Sequence, residues 1–541
     1  MATVNQRLNN LRALVIDDMA AMRQNIRGQL GQLGIGHVDQ AATPDEAISY
    51  IRRGAYDVII CDYNLNKETN GQQLLEFLRS QNLLSPATMF IMVTAEAAYD
   101  LVASAAEFQP DAYMVKPLTG SKLLERIERL LDRQSALSPI AGRLKLKDIA
   151  GAVAECDRIL HAVPKFGLDV LKIKANALLE LGKPEEAKLV YSQALAIRDD
   201  LVWAKLGIAN CCHIAGQLEE AKTAAQEVLA ENAKYIPAYD LLVKIAEVQG
   251  NEQEALEALN QSYDVIPSAR RSRMVGDVAY RTGDLEQAKT AFSRALNHTK
   301  GSLTAQPSDV LSLAQVHVDT GEAAEALKVL SAVPKHYAES NAFVATQAAV
   351  KAQAHVKLGD TAAAEEAYTL AKSMADTTKA DASSLALAKA AFSIGKDDEG
   401  ADILAKAVKA DHENTRLVSL ARKVLKDSGK EELVNDIVDQ SLREVNAIVA
   451  EANALMRKAQ FDESLAKLDE ALASMPENTG VLLAAAQLHL LWMSQRGLNL
   501  DYVAKVNNYL AKLDVLMPGN ERVSKMYRFL RETLSRTSKK A

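Results

Sequence analysis

Five residues stand where their chemistry could converge. Asp17 and Asp18 end the apolar run 13–16, Asp62 ends 58–61, Thr94 ends 89–93, and Lys116 follows 113–115 and precedes Pro117. Carboxylates held together repel one another. Magnesium, a hard cation that takes oxygen ligands, resolves that repulsion. A carboxylate beside such a metal, a hydroxyl and an ammonium suits phosphoryl transfer, which needs in-line positioning and neutralised charge on the equatorial oxygens. In that chemistry Asp62 is the nucleophile and becomes an aspartyl phosphate, with Mg2+, Thr94 and Lys116 around the phosphoryl group. Singly, each residue type is more often a surface charge or a strand-end cap. The weight lies in five groups falling, in order, at matching ends of successive apolar runs.

The elements that must position them can be read too. Runs 13–16, 58–61, 89–93 and 113–115 are apolar without alternation, as in strands covered on both faces. Between them lie helical periods such as Met22, Ile26, Leu30 and Leu33, and a final stripe of Leu123, Ile127, Leu130 and Leu131. Thr43, Pro44 and Glu46 open a helix with a cap, a first-turn proline and a capping-box acid. Strands alternating with helices predict a parallel sheet with helices on both faces. Ligands of such sheets bind at the carboxyl ends of the strands.

Over about residues 11–133 these motifs resemble the receiver domain of two-component signalling. The resemblance implies a doubly wound, flavodoxin-like α/β domain with Asp62 as phosphoacceptor. It implies metal binding by Asp17, Asp18, Asp62 and the backbone carbonyl of Asn64. It also implies phosphate binding and switching by Thr94, Tyr113 and Lys116, the Tyr113 ring moving inward when Thr94 engages the phosphate. The altered face would comprise residues 98–107, 113–115 and 121–133. One departure from the family stands out: the usual Met-Pro turn after the phosphoacceptor is replaced by residues 63–71 (YNLNKETNG), without proline and one residue longer. The same stretch begins like a calcium loop. Lys67 in place of the required glycine and Gln73 in place of the final glutamate reject that reading.

Beyond residues 135–143, which hold Ser, Pro and Gly and read as a linker, strand signals vanish. Gly182, Gly216, Gly250, Gly283, Gly321, Gly359, Gly395 and Gly429 recur at spacings of 34, 34, 33, 38, 38, 36 and 34. Five residues after each stand Ala187, Ala221, Ala255, Ala288, Ala326, Ala364, Gly400 and Val434, and a further unit has Ala459 and Ser464. Glycine permits the left-handed turn between antiparallel helices, and the small residue lets the second helix close on the first. With Tyr191, Ala194 and Leu195 in a second helix and Trp203 in a first, residues 144–480 resemble tetratricopeptide repeats, an all-α solenoid. Residues 481–535 are expected to close it. Lys172, Asn176 and Asn210 resemble part of a peptide-binding clamp, although Gly207 and Leu241 occupy expected polar positions and a solvated helix face is the commoner origin of such residues.

Composition removes other classes. Net charge is −7, which argues against a polyanion-binding surface spread over the molecule, and no basic recognition helix appears, so nucleic acid is not an expected partner. Cys61, Cys156, Cys211 and Cys212 form no metal or redox motif and suit a cytoplasmic protein with reduced thiols. Residues 1–10 lack the apolar core of a signal peptide, and residues 481–493, interrupted by Gln487 and His489, are too short to cross a bilayer. The expectation is a cytoplasmic response regulator without membrane insertion. Its chemistry would be limited to Mg2+-dependent self-phosphorylation and dephosphorylation. A sensor histidine kinase or phosphotransfer protein would phosphorylate it, and a protein or peptide would occupy the repeat groove. The receiver leaves room for a homodimer. The alternative is an antagonist or phosphate sink whose repeats bind its own kinase or a sister regulator. Expected boundaries are 11–134 for the receiver, 135–143 for the linker, 144–480 for the repeats and 481–535 for the closing helices.

Overall fold

The computed structural model describes residues 7–65, 69–85, 87–94, 109–300, 302–333, 337, 339–376, 381–517 and 520–538. The first elements are β1 Arg12–Ile16, α1 Ala20–Gln32, β2 His37–Ala41, α2 Pro44–Arg53, β3 Val58–Asp62, α3 Gly71–Ser80, β4 Met89–Thr94, β5 Ala112–Val115 and α4 Gly120–Lys145. The five strands are parallel, in the order β2-β1-β3-β4-β5. Side chains alternate between faces. Ala13, Val15, Val58, Ile60, Ile91 and Val93 pack with α1 and α4 residues, whereas Leu14, Ile16, Ile59, Cys61, Phe90 and Met92 pack with α2 and α3 residues. That double burial is why these strands read as unbroken apolar runs. Strand β2 (HVDQA) is an edge strand with only its last residue buried, so no apolar run announces it.

The start of α2 follows its sequence closely. Thr43 Oγ1 accepts from the Glu46 amide at 3.2 Å, while the Glu46 carboxylate takes the Ala42 amide, one residue earlier than a strict capping box. The linker needs correction. Residues 135–143 are helical, because α4 runs unbroken from Gly120 to Lys145 with Pro139 inside it. Ile140 is buried and packs with Ala152, Cys156 and Ile159 of the next helix, so an apolar contact holds the segment in the helix.

The repeat helices are α5 Ile149–Ala162, α6 Gly167–Glu180, α7 Pro184–Ile197, α8 Val202–Ile214, α9 Leu218–Glu231, α10 Ile236–Val248, α11 Glu252–Val265, α12 Ala269–Thr282, α13 Leu285–Thr299, α14 Pro307–Asp319, α15 Ala323–Ser331, α16 Asn341–Lys357, α17 Thr361–Met374, α18 Ala382–Ser393, α19 Asp397–Ala410 and α20 Thr415–Asp427. Then come α21 Gln440–Arg457, α22 Phe461–Ser474, α23 Thr479–Arg496, α24 Leu500–Leu516 and α25 Glu521–Ser538. All eight turn glycines have φ between 68° and 88°, and Ala459, standing in for glycine, has φ 60°. Ala187, Ala221, Ala255, Ala288, Ala326 and Ala364 are each at most 1% exposed. Where Val434 replaces the small residue, a 3-10 turn and a π segment take the place of a regular helix over Glu431–Leu433 and Asn435–Asp439. No helix among the described residues is long and apolar enough to cross a membrane; the 481–493 stretch lies in α23 and is largely buried.

The chain forms two compact units. One comprises Met1–Leu179, Lys183–Val275 and Arg294–Gln306; the other comprises Glu180–Gly182, Gly276–Ser293 and Pro307–Ala541. Within the first unit the α/β domain touches the repeats. Arg133 bonds Asp169 at 2.9 Å, Lys165 bonds Asp132 at 3.3 Å, and Leu303 packs against the α2/α3 face of the sheet.

Candidate functional site

The parallel register brings the sequence-selected side chains to one edge. Asp17 follows β1, its amide still bonded to the Ala41 carbonyl. Asp62 ends β3 opposite Val93, Thr94 ends β4 opposite Val115, and the Lys116 amide bonds the Thr94 carbonyl at 2.9 Å. Carboxylate oxygens of Asp17, Asp18 and Asp62 lie within 4.8 Å of one another. Asp17 and Asp62 are buried and Asp18 is exposed, so the cluster is rooted in the sheet and opens to solvent. Its donors are all oxygen. This is an acidic cluster of the kind with which receiver domains bind Mg2+.

Lys116 bridges the buried pair and offsets part of its charge. Its ammonium is 3.0 Å from Asp62 Oδ2 and 3.3 Å from Asp17 Oδ2. Burial raises the Asp62 pKa more than Lys116 lowers it, so the carboxyl lies above its ordinary value. For Lys116 burial acts downward, but Asp62 and Asp17 together outweigh it and the pKa is raised. The pair therefore favours the ionised form of the lysine at neutral pH and holds one face of the Asp62 carboxylate against a cation. Cys61, directly before Asp62 in the strand, is fully buried, and burial pushes its thiol far up, which suits packing rather than nucleophilic chemistry.

Thr94 is completely buried at its strand end. Tyr113 is half-buried and packs against the α2/α3 face. Asn64 is exposed on the loop after Asp62. Of the residues expected to form the altered face, 113–115 and 121–133 are described, whereas 98–107 lie outside the described residues, as do 66–68 of the long loop.

The sequence reading missed residues that organise this edge. Arg23 of α1 donates to the carbonyls of Asp17 at 2.7 Å and Asp18 at 3.0 Å, fixing the acidic turn. Gly71 opens α3 against the backbone of Asp62, its amide bonded to the Tyr63 carbonyl at 2.7 Å. On α3, Glu76 is half-buried beside Arg273 and Arg270 of α12; burial raises its pKa and the two guanidinium groups oppose the rise. A lone arginine in a helix, or a glutamate on a helix face, carries no motif that sequence could flag.

The proposed groove residues lie elsewhere, in α6 and α8. Asn176 accepts from the Tyr191 hydroxyl at 2.8 Å, and Lys172 sits 5.6 Å from the Trp203 ring centroid. Asn210 is half-buried in α8. Gly207, at an expected polar position, instead admits the Tyr191 ring: a Cβ there would lie 2.4 Å from it.

Residues 13–128 match the response regulator receiver domain family, and residues 178–246 match the tetratricopeptide repeat family. Chemotaxis protein CheY of Pseudomonas aeruginosa is 32% identical over 123 residues, 23% of this chain and 98% of that protein. Chemotaxis protein CheY-3 of Vibrio cholerae serotype O1 is 28% identical over 124 residues, 23% of this chain and 94% of that protein. Among solved structures, a tetratricopeptide repeat protein from Parabacteroides merdae ATCC 43184 is 14% identical, covering 45% of this chain and 93% of that one, with a TM-score of 0.28. With its carboxylate cluster, hydroxyl and lysine at the ends of a parallel five-stranded sheet, and with that relative matched over nearly its whole length, the chain belongs to the response regulator receiver family and carries tetratricopeptide repeats behind the receiver.

Proposed function

We propose that this response regulator accepts a phosphoryl group on Asp62 and passes the signal to its repeats, which bind a protein partner. The carrying observation is the juxtaposition of the Asp17, Asp18 and Asp62 carboxylates within 4.8 Å, with Lys116 3.0 Å from Asp62. Asp17, Asp18, Asp62 and the Asn64 carbonyl would hold Mg2+, which when bound would neutralise charge on the phosphoryl oxygens. An Asp62 carboxylate oxygen forms a bond to phosphorus as the bond to the donor's leaving group breaks. The donor is the phosphohistidine of a sensor kinase or phosphotransfer protein. Lys116 then turns from the carboxylates to the phosphate, and the Thr94 hydroxyl donates to it, drawing its loop inward with Tyr113 following. Contacts of Arg133, Asp132 and Leu303 between receiver and repeats support an output that runs within the chain.

We take residues 11–134 as the receiver, 144–480 as the repeat array and 481–535 as the closing helices. The four buried free thiols support a cytoplasmic setting. The test is incubation of the full chain with acetyl phosphate and Mg2+, read by intact mass. Wild type should gain one phosphate, and neither Asp62→Asn nor wild type in EDTA should gain any. Labelling of Asp62→Asn to the wild-type level would sink the assignment.

A further inference from the structure

The second unit holds a cavity that the phosphorylation chemistry does not use. It lies among the first helices of successive repeats, α12, α14, α16, α18 and α20, and has a volume of about 190 Å3. Its apolar wall comprises Phe292, Leu311, Val350, Leu385, Leu420 and Val424.

Side chains four repeats apart meet beside it. Arg416 of α20 bonds Asp277 of α12 at 2.5 Å, although the two are 139 residues apart in the chain. The Tyr280 ring lies 4.7 Å from the Lys423 ammonium and 5.8 Å from that of Lys389. Lys389, only 6% exposed, is 2.8 Å from Asp319 and 2.8 Å from Asp427. The Tyr280 hydroxyl donates to Asp319 at 2.7 Å, and Lys423 bonds Asp427 at 3.2 Å.

Two consequences follow for an occupant. Of the charged side chains that line the cavity, Lys389 pairs with Asp319 and Asp427, Lys423 with Asp427, and Arg416 with Asp277, which also pairs with Arg281, so each lining cation already has a partner of opposite sign. A charged ligand would lose hydration without gaining an unpaired counter-charge, whereas a neutral one would lose little. The contacts from α12 to α18 and α20 also obstruct a polypeptide laid along this face, since it would have to break the Arg416–Asp277 and Tyr280–Lys423 pairs. A small molecule fits without breaking them. In size it compares with the enclosed apolar cavity of about 150 Å3 that takes up benzene, although this one is partly open to solvent and also lined by Ser308, Ser312, Gln315 and Thr346.

We propose that this cavity is a binding site for a small neutral molecule with a compact apolar body, of the size of one aromatic ring or a branched aliphatic chain. The site shares no residue with the phosphorylation chemistry, so its test does not depend on whether Asp62 accepts phosphate.

The experiment titrates the full-length protein with benzyl alcohol, benzoate and the uncharged peptide Ac-Gly-Phe-Gly-NH2, following methyl NMR signals and the thermal midpoint. Benzyl alcohol should shift the signals of Leu311, Leu385 and Leu420 saturably and raise the midpoint. Benzoate should bind about tenfold more weakly or worse, because its charge must be desolvated. Ala386→Phe, which fills the cavity, should abolish the response. Leu420→Trp, at a half-buried position of the lining, gives the same test if the first variant does not fold. A response that survives in a folded filled variant, equal binding of benzoate, or no saturable response in wild type would overturn the proposal. Tighter binding of the peptide than of benzyl alcohol would overturn it as well, since it would make a polypeptide the occupant.

Discussion

Replacing Gly71 by alanine should damage phosphorylation more than any other single methyl group near the site. Gly71 begins α3 and is buried against β3. A Cβ there would lie 2.2 Å from the Asp62 carbonyl oxygen, 3.1 Å from its carbon and 2.9 Å from the Met92 sulfur. Met92 can rotate; the backbone of a central strand cannot. Restoring an ordinary carbon–oxygen separation requires a shift of about 1 Å in α3 or in Asp62. At a permissive site Gly→Ala stabilises by about 0.4–1 kcal/mol. Here overpacking costs about 1–3 kcal/mol and should win. The atom struck belongs to Asp62, the proposed nucleophile, and a misplacement of about 1 Å is enough for about a 10²-fold loss of rate. Gly28→Ala in α1 is the control, since its Cβ would meet nothing within 4 Å. The assay is the initial rate of acetyl phosphate labelling by intact mass, together with the thermal midpoint of each variant. A Gly71→Ala protein that labels at the wild-type rate and melts no lower than Gly28→Ala would refute the reasoning.

Lys389→Met should destabilise the second unit by about 3–5 kcal/mol, because Asp319 and Asp427 lose their buried cation. At about 2–4 °C per kcal/mol the calorimetric midpoint falls by roughly 6–20 °C, and an unchanged midpoint would contradict the cluster. Burial lowers the pKa of His489, which is 0% exposed and bonded through Nδ1 to the Ala485 carbonyl. The unfolded chain therefore binds the extra proton first: the contribution is complete above a pH of about 6.5 and is lost as pH falls below it. Melting curves between neutral and acidic pH should show that loss, and His489→Phe should reduce it. Thr94→Ala should still label on Asp62, but at matched phosphorylation it should lose most of the change in partner affinity, typically about 5–150-fold for such coupling. Titrations that find the full wild-type change in this variant would rule out a switch through Thr94.

The receiver fold and the gathering of its candidate site were legible because that site and the core use the same local signals. Asp17, Asp62, Thr94 and Lys116 each terminate a short apolar run, and a parallel sheet necessarily gathers such termini on one edge. The repeats were legible because one backbone requirement, a left-handed turn, recurs at every glycine and even at Ala459. Strand β2 was not, because an edge strand needs no apolar run. Residues 135–143 were misread because Pro139 and Gly142 signal a break that burial of Ile140 overrides.

What only the tertiary structure decided are meetings that no spacing in the sequence announces. Arg23 on the carbonyls of Asp17 and Asp18, Glu76 beside Arg270 and Arg273, and Lys389 between Asp319 and Asp427 carry no spacing rule. Periodicity along a chain fixes which face of a helix is buried. Which charges then face one another across a fold depends on how successive repeats rotate, and that rotation is the sum of many packing contacts that no local pattern encodes.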